Sequence, residues 1–473
     1  MLWFVALRRK PSLMSYYRRN ISEFLVRTDQ FRSKYIKKRN FLIVLSFVVG
    51  IISALAAVLL KVSVQMVEHS VEKLNHYFHD NWLTAMFPLV GVGISMLLLK
   101  RIFKGRLSRG VGFIVDSIFT KQSRIPFQHT FGHMLTAAVT VASGGSVGLE
   151  APIVATGAAI GSNTARDMRL SYKDTTLLLA CGVASGIAAV FNSPIAGIIF
   201  ALEVLMIDFN IPFFIPLLIS TATATVISQV LYPDKFVFLI INGWDLKALP
   251  FYVLMGSVCG LVSVYTTTVV EKVEGYFHKQ KLGWRPWLMA GVPLCVLIYF
   301  LPSLYGEGYS TITNLLHGNY NELTRHTALQ HMGNQSYAII IMCVLLILFK
   351  SFTAALTVSA GGNGGVFAPA LIIGGLVGFL FTYVLHLTGL VELRTPNFII
   401  AAMAGVLAGV MHSPLTAIFL LAEITGGYAL FVPLMIVVAI SYFITRKYVR
   451  HSIYHKALFN NNILKEERDE DHF

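Results

Sequence analysis

This chain is poor in charge. Asp, Glu, Lys and Arg make up 13% of its 473 residues, against 55% hydrophobic ones, where an average soluble domain carries about 25% charged residues. With a mean hydropathy of +0.66, an ordinary soluble fold is excluded and a polytopic membrane protein is indicated. Cysteine is scarce too: Cys181, Cys259, Cys295 and Cys343 are the only four, and all lie in apolar runs. That excludes a disulfide or zinc framework and makes them small core residues. The catalytic motifs HExxH and GxSxG and the phosphate loop are missing. His76 with His79, and His129 with His133, invite a metal reading, but no carboxylate or cysteine completes either set.

Acids are outnumbered, 24 against 38 Lys and Arg, for a net charge of +14. The excess is not spread evenly. Residues 1–40 hold eleven Lys or Arg against Glu23 and Asp29, directly before the first apolar span. This is positive-inside bias, which sets the N-terminus in the cytoplasm and accounts for the charge without a nucleic-acid partner, for which no motif is present. The runs Phe41–Leu60, Tyr337–Phe349 and Tyr428–Phe443 are free of charge, and approach or reach the roughly 20 residues that cross a bilayer.

What the chain does have is a nine-residue stretch used twice. Gly144-Gly145-Ser146-Val147-Gly148-Leu149-Glu150-Ala151-Pro152 returns 217 positions later as Gly361-Gly362-Asn363-Gly364-Gly365-Val366-Phe367-Ala368-Pro369. A glycine run leading into Ala-Pro and an apolar segment reads as a helix start, with proline in the first turn, where its missing N–H has no intrahelical role. The free amides of such a start, joined by the positive end of the helix dipole, favour an anion, and inside a membrane they must face protein, water or an ion. The copies differ where Glu150 stands opposite Phe367.

A second block repeats at an offset of 220: Cys181 to Pro194, running on to Glu203-Val204, matches Ala401 to Pro414, running on to Glu423-Ile424. Two nearly equal offsets mean an internal duplication, with halves of about 41–235 and 245–450. Duplicated halves with Gly- and Pro-interrupted helices are the pattern of a transporter whose site lies near the bilayer midplane. The expected organisation is a basic cytoplasmic arm over 1–40, a transmembrane domain over 41–460 and an acidic tail over 461–473. Within it, Phe41–Val67, Leu83–Ile102, Ala248–Val270 and Trp287–Leu304 read as long helices. Ile153–Ser162 reads as a broken helix of about half a span. The polar stretch Gly306–Gln335 reads as an exposed loop with short helices. The basic turn Arg101, Lys104, Arg106 and Arg109 faces the cytoplasm.

Gly148-Leu149-Glu150-Ala151-Pro152, Gly365-Val366-Phe367-Ala368-Pro369 and Ser452-Ile453-Tyr454 resemble the signature segments of the CLC family of chloride channels and chloride/proton antiporters. The resemblance covers about residues 40–460. It implies an all-α membrane fold of two inverted-topology repeats with broken, partly spanning helices, and a homodimer in which each subunit has its own ion path. In that scheme Glu150 is the gate. The helix-start positions Gly148, Leu149 and Ala151, the amides of Val366 and Phe367, and the Tyr454 hydroxyl hold chloride. The chain departs from the family's second motif, Gly-Lys/Arg-Glu-Gly-Pro, at Leu149 and Ala151. It departs from the first, Gly-Ser-Gly-Ile-Pro, more strongly: Ser108-Arg109-Gly110-Val111-Gly112 puts Arg109 where the anion-coordinating serine stands. Either Arg109 changes the inner anion site or the loop shifts and Ser108 serves. Val204 follows Glu203 where many of the family's antiporters place a second glutamate that relays protons from inside.

The implied activity is therefore transmembrane chloride transport, with channel-like or weakly coupled conduction expected ahead of chloride/proton antiport because Val204 cannot relay protons. A membrane-embedded enzyme using Glu150 and a non-transporting scaffold are the rivals. No cofactor is expected, chloride being the transported ligand, and protons are a second candidate substrate. A multi-pass protein of the plasma membrane with both termini in the cytoplasm is the expected setting. Glu203 and Glu423 have a plainer reading as structural acids bonded to neighbouring helix ends.

Overall fold

The computed structural model describes residues 37–454, except 79–80, 207–210, 234–242 and positions 281, 326 and 390. The basic arm up to residue 36, the acidic tail and His79 lie outside the described residues. Among those described there are sixteen α-helices and no strand beyond one isolated bridge. They divide eight and eight. The first half holds α1 (Lys38–Phe78), α2 (Asn81–Leu97), α3 (Gly112–Thr120), α4 (His129–Ala142), α5 (Glu150–Asp167), α6 (Tyr172–Phe191), α7 (Pro194–Val204) and α8 (Ile211–Leu231). The second holds α9 (Leu249–His278), α10 (Trp284–Phe300), α11 (Tyr309–Leu316), α12 (Gln335–Ser359), α13 (Phe367–Thr388), α14 (Thr395–Met411), α15 (Pro414–Ile424) and α16 (Phe431–Tyr448).

The halves pack alike. Helix α5 lies against α6 as α13 lies against α14; α1 meets α8 as α9 meets α16; α6 touches α8 as α14 touches α16. Small residues let the central pair approach closely. A Cβ added to Gly157 would sit 2.1 Å from the Gly182 carbonyl oxygen, and one on Gly182 would sit 2.0 Å from that of Gly157, so the two backbones touch where membrane helices lack a hydrophobic driving force and rely on close packing. Helix α6 is buried from Asp174 to Phe191, and Cys181, Cys259 and Cys343 are buried free thiols in this core.

Among the described residues, eight helices are long and apolar enough to cross a membrane. Their outer faces carry Leu59, Leu261 and Phe443, exposed by 59, 59 and 73%, an apolar exterior suited to lipid rather than water.

The sequence breaks where the repeat predicts. Asn192 and His412 both adopt left-handed backbone, with φ of 54° and 56°, and end α6 and α14 just before Ser193-Pro194 and Ser413-Pro414. Each proline then opens a short helix of 11 residues, α7 and α15.

Helix α5 corrects one expectation. It is not a half-span of ten residues but runs for 18, about 27 Å at 1.5 Å per residue. Its polar end continues the helix because each side chain finds a partner: Asn163 donates to Ala159 O at 2.7 Å, Thr164 to Ile160 O at 2.8 Å and Ser162 to Ser123 O at 2.6 Å. The long helices also outrun their charge-free cores, α1 reaching Phe78 and α9 reaching His278.

Candidate functional site

The two glycine-rich stretches meet. Gly148 N–H donates to Gly365 O and Gly365 N–H to Gly148 O, both at 3.0 Å, so equivalent residues of the two halves pair across an approximate twofold axis. The residues just before them cross over in the same way. Ser146 N–H donates to Thr357 Oγ1 at 3.2 Å, and Asn363 N–H donates to Thr140 Oγ1 at 3.0 Å. Gly144 and Gly361 take φ of 91° and 112°, a left-handed region that favours glycine. Each turn thus delivers a helix start, α5 or α13, to the same central point.

At that point the first residue of α5 is Glu150 and the first residue of α13 is Phe367, exposed by 2 and 1%. Glu150 Oε1 accepts from the Tyr309 hydroxyl at 2.7 Å. Its Oε2 is folded back over Gly148, where an added Cβ would lie 2.0 Å away, and the amides of Glu150 itself and of Ala368 are its nearest backbone donors. The carboxylate therefore lies between two helix starts, where a negative charge is favoured from both sides. Phe367 packs its ring 5.6 Å from that of Phe191 and 6.3 Å from that of Phe200.

The remaining predicted positions fall into three groups. Leu149, Ala151, Val366 and Phe367 are buried around the paired helix starts, but the Gly148 amide is committed to Gly365 O and the Leu149 amide donates to Glu307 Oε1 at 2.9 Å. Tyr454, 6% exposed, lies against the first-motif region: a Cβ on Gly112 would be 2.8 Å from Tyr454 O. Arg109 and Ser108 part company. Ser108 is exposed, whereas Arg109 is half-buried, and its Nη1 donates to Val358 O at 2.7 Å and Gly362 O at 2.9 Å, closing the C-terminus of α12 and the second glycine-rich turn.

Glu203 and Glu423 are not aimed at the centre. Glu203 accepts from the Leu415 and Thr416 amides at 3.1 and 2.8 Å and from the Thr416 hydroxyl at 2.7 Å, so it caps α15. Glu423 accepts from the Ile195 and Ala196 amides at 3.1 and 2.9 Å, so it caps α7. Val204 is buried beside Glu203. His129 Nδ1 lies 3.0 Å from His133 Nε2, and His133 Nδ1 lies 3.2 Å from Asn363 Nδ2. The pair is thus tied to the second glycine-rich turn, and among the described residues no group of three or more His, Cys, Asp and Glu could hold a metal.

A model of the voltage gated chloride channel family matches residues 91–446. The chain belongs to this family. Sequence relatives of this CLC protein include a ClcB-like protein of Ralstonia nicotianae whose name places it among chloride channel proteins, 26% identical over 80% of this chain and 86% of that one. They also include the H(+)/Cl(−) exchange transporter ClcA of Vibrio cholerae, 30% identical over 62% of this chain and 61% of that one. Among solved structures, a slow cyanobacterial Cl−/H+ antiporter superposes with a TM-score of 0.76 at 20% identity, covering 92% of this chain and all of that one. A CLC-type fluoride/proton antiporter gives 0.68 at 23% identity, covering 88 and 97%. These likenesses establish the inverted-repeat fold, and with the eight apolar helices they make this a multi-pass membrane protein.

Four residues around the site were not singled out by sequence: Glu307, Tyr309, Lys61 and Lys350. The first two sit in the stretch read as an exposed loop. That stretch does hold short helices, but its Ile312, Leu315, Leu316 and Leu323 are buried, and the Gly306 amide on Gly144 O ties its start to the turn before α5. Lys61 and Lys350 are intramembrane cations, 7 and 1% exposed, and a charge at membrane depth is itself a functional signal that could have found them.

Proposed function

We propose that this protein carries chloride across a membrane in exchange for protons, with Glu150 as the gate. The observation that supports this most directly is the position of the Glu150 carboxylate, buried between the starts of α5 and α13 with Tyr309 on one oxygen. A carboxylate at a helix N-terminus mimics an anion. While ionised it fills the place chloride would take; protonated, it loses the charge that competes, moves off, and admits the anion. One group thereby responds to both substrates. Chloride would pass the Ala151, Val366 and Phe367 backbone and the Tyr454 hydroxyl on its way between the two sides.

Exchange is preferred to the channel-like conduction expected from Val204 alone, because relatives of this chain are named H(+)/Cl(−) exchange transporters. The channel-like, weakly coupled alternative keeps one supporting observation: Val204 is buried and carries no proton, and Glu203 is occupied with α15. An enzymatic role for Glu150 draws nothing from the family. A homodimer with one path per subunit, in a plasma membrane with both termini in the cytoplasm, belongs to the same proposal. To test it, purified protein in liposomes receives a chloride gradient at equal pH. Exchange drives protons uphill until the proton gradient balances the remaining chloride gradient; sustained chloride flux with no proton movement would overturn exchange and leave the channel.

A further inference from the structure

The outer end of α5 carries a second carboxylate. Residues 304–309 cross over this helix start and are pinned there: Gly306 N–H donates to Gly144 O at 3.0 Å, and Lys350 Nζ donates to Leu304 O at 3.3 Å and Gly306 O at 2.8 Å. From this strap two side chains reach the same helix start. Tyr309 donates to Glu150 Oε1 at 2.7 Å, and Glu307 Oε1 accepts from the Leu149 amide at 2.9 Å. Lys61, Leu149, Glu150, Tyr232, Glu307 and Tyr309 line a cavity of about 200 Å³. The buried Glu150 Oε2 meets no hydrogen-bond partner of good geometry beside it.

The helix amide that an incoming anion would meet next to Glu150 is thus already held by an acid from another part of the chain. Lys61 contributes the positive charge of this cavity, its Nζ donating to the Ala189 and Val190 carbonyls at 3.3 and 2.5 Å. With Lys350 beneath the strap, the two ammoniums only balance the two carboxylates, so an added anion is favoured when a carboxylate has moved away or been neutralised. We propose that Glu307 is a second gate: it occupies the Leu149 amide as an anion mimic, and a small inorganic anion must displace it before reaching the place of Glu150. This rests on the transport reading but concerns a different residue. Glu307 acts by competing for the amide, so its removal strengthens anion binding, whereas mere loss of packing would weaken it.

The test uses the purified full-length protein and chloride itself. Calorimetric chloride titration is carried out on wild type, Glu307→Ala and Glu307→Gln, and each protein is also assayed for chloride flux in liposomes. Glu307→Ala should tighten chloride binding by about three- to tenfold, the value of one charge at a helix N-terminus, and speed flux. Glu307→Gln, which keeps the shape and an acceptor oxygen, should tighten it less but in the same direction, and it decides the matter if the alanine variant does not fold. Unchanged or weaker binding in the folded variants overturns the second gate. A wild type that binds chloride yet carries no flux defeats the transport reading while the affinities still judge Glu307. Wild-type flux with variants matching it in both assays defeats only Glu307.

Discussion

The starts of α5 and α13 are built on one plan and finished differently. Both follow a left-handed glycine, both are held by a threonine of the other half, and they share the Gly148–Gly365 bridge. Yet one begins with Glu150 in reach of Tyr309, and the other with Phe367 among Phe191 and Phe200. The opposite holds at the ends of α7 and α15, where both halves keep an acid, and Glu203 and Glu423 cap each other's helix starts in mirrored fashion. An acid kept in both copies therefore serves the shared scaffold. An acid kept in one copy can serve what the scaffold cannot do symmetrically, and in the proposed function that is to respond to a proton.

The sharpest way to break this comparison is to make the two helix starts electrically alike. Glu150→Gln removes the titrating group and retains its shape. Anion flux should persist, its acceleration by acid should vanish, and proton movement driven by a chloride gradient should fall to background in paired chloride and pH recordings. Retained proton coupling would mean that another group carries the proton.

Next in size is the symmetric pair. Glu203→Ala and Glu423→Ala each strip a charged acceptor from two helix-start amides, and each should cost about 2–4 kcal/mol, given that hydrogen bonds to charged groups contribute about 1.5–3 kcal/mol. Glu203→Ala should be the more damaging, because it also frees the Thr416 hydroxyl. Unfolding in detergent followed by tryptophan fluorescence reads both, and a large loss for one with none for the other would end the view of a shared clasp. Smaller again is the threonine exchange: Thr140→Val and Thr357→Val should each cost about 1 kcal/mol, the usual value of one neutral hydrogen bond, and should match within the error of the same measurement.

Much of this was legible in the chain before any coordinates. Blocks repeating at nearly equal spacing announced two equivalent halves. The paired Ser-Pro and Glu positions foretold two short helices with acids bonded to neighbouring helix ends, and the Glu150/Phe367 mismatch pointed to the helix starts that meet at the centre. What stayed hidden lies off the repeat. Glu307 and Tyr309 come from a segment with no matching motif in the first half, and they act across separations of 158 and 159 residues; nothing in local periodicity reports such a contact. The length of α5 was missed for another reason. Ser162, Asn163 and Thr164 look like a helix end, and only their individual partners reveal that the helix continues.

Arg109 is the last and smallest test, and it asks whether the asymmetry extends to the first motif. Its place in the first motif suggested either an altered anion site or a shifted loop using Ser108. The guanidinium instead donates to Val358 O and Gly362 O, carbonyls at the end of α12 and in the second glycine-rich turn. Carbonyl oxygens at a helix C-terminus attract a cation, and a guanidinium spending a donor edge on two of them is fixed in place. Arg109→Ser should accordingly lower stability by about 1–2 kcal/mol, the cost of losing charge-assisted bonds to a helix end. It should also leave chloride affinity, read by calorimetry, within about twofold of wild type, since a residue bound to carbonyls contributes less than the full value of an ion contact. Because Gly362 adjoins Asn363, which the first half holds through Thr140, the loss should add to that of Thr140→Val by less than their sum, as neighbours sharing one turn do. A tenfold drop in chloride affinity at unchanged stability would instead place the guanidinium on the anion and make Arg109 part of the proposed ion path.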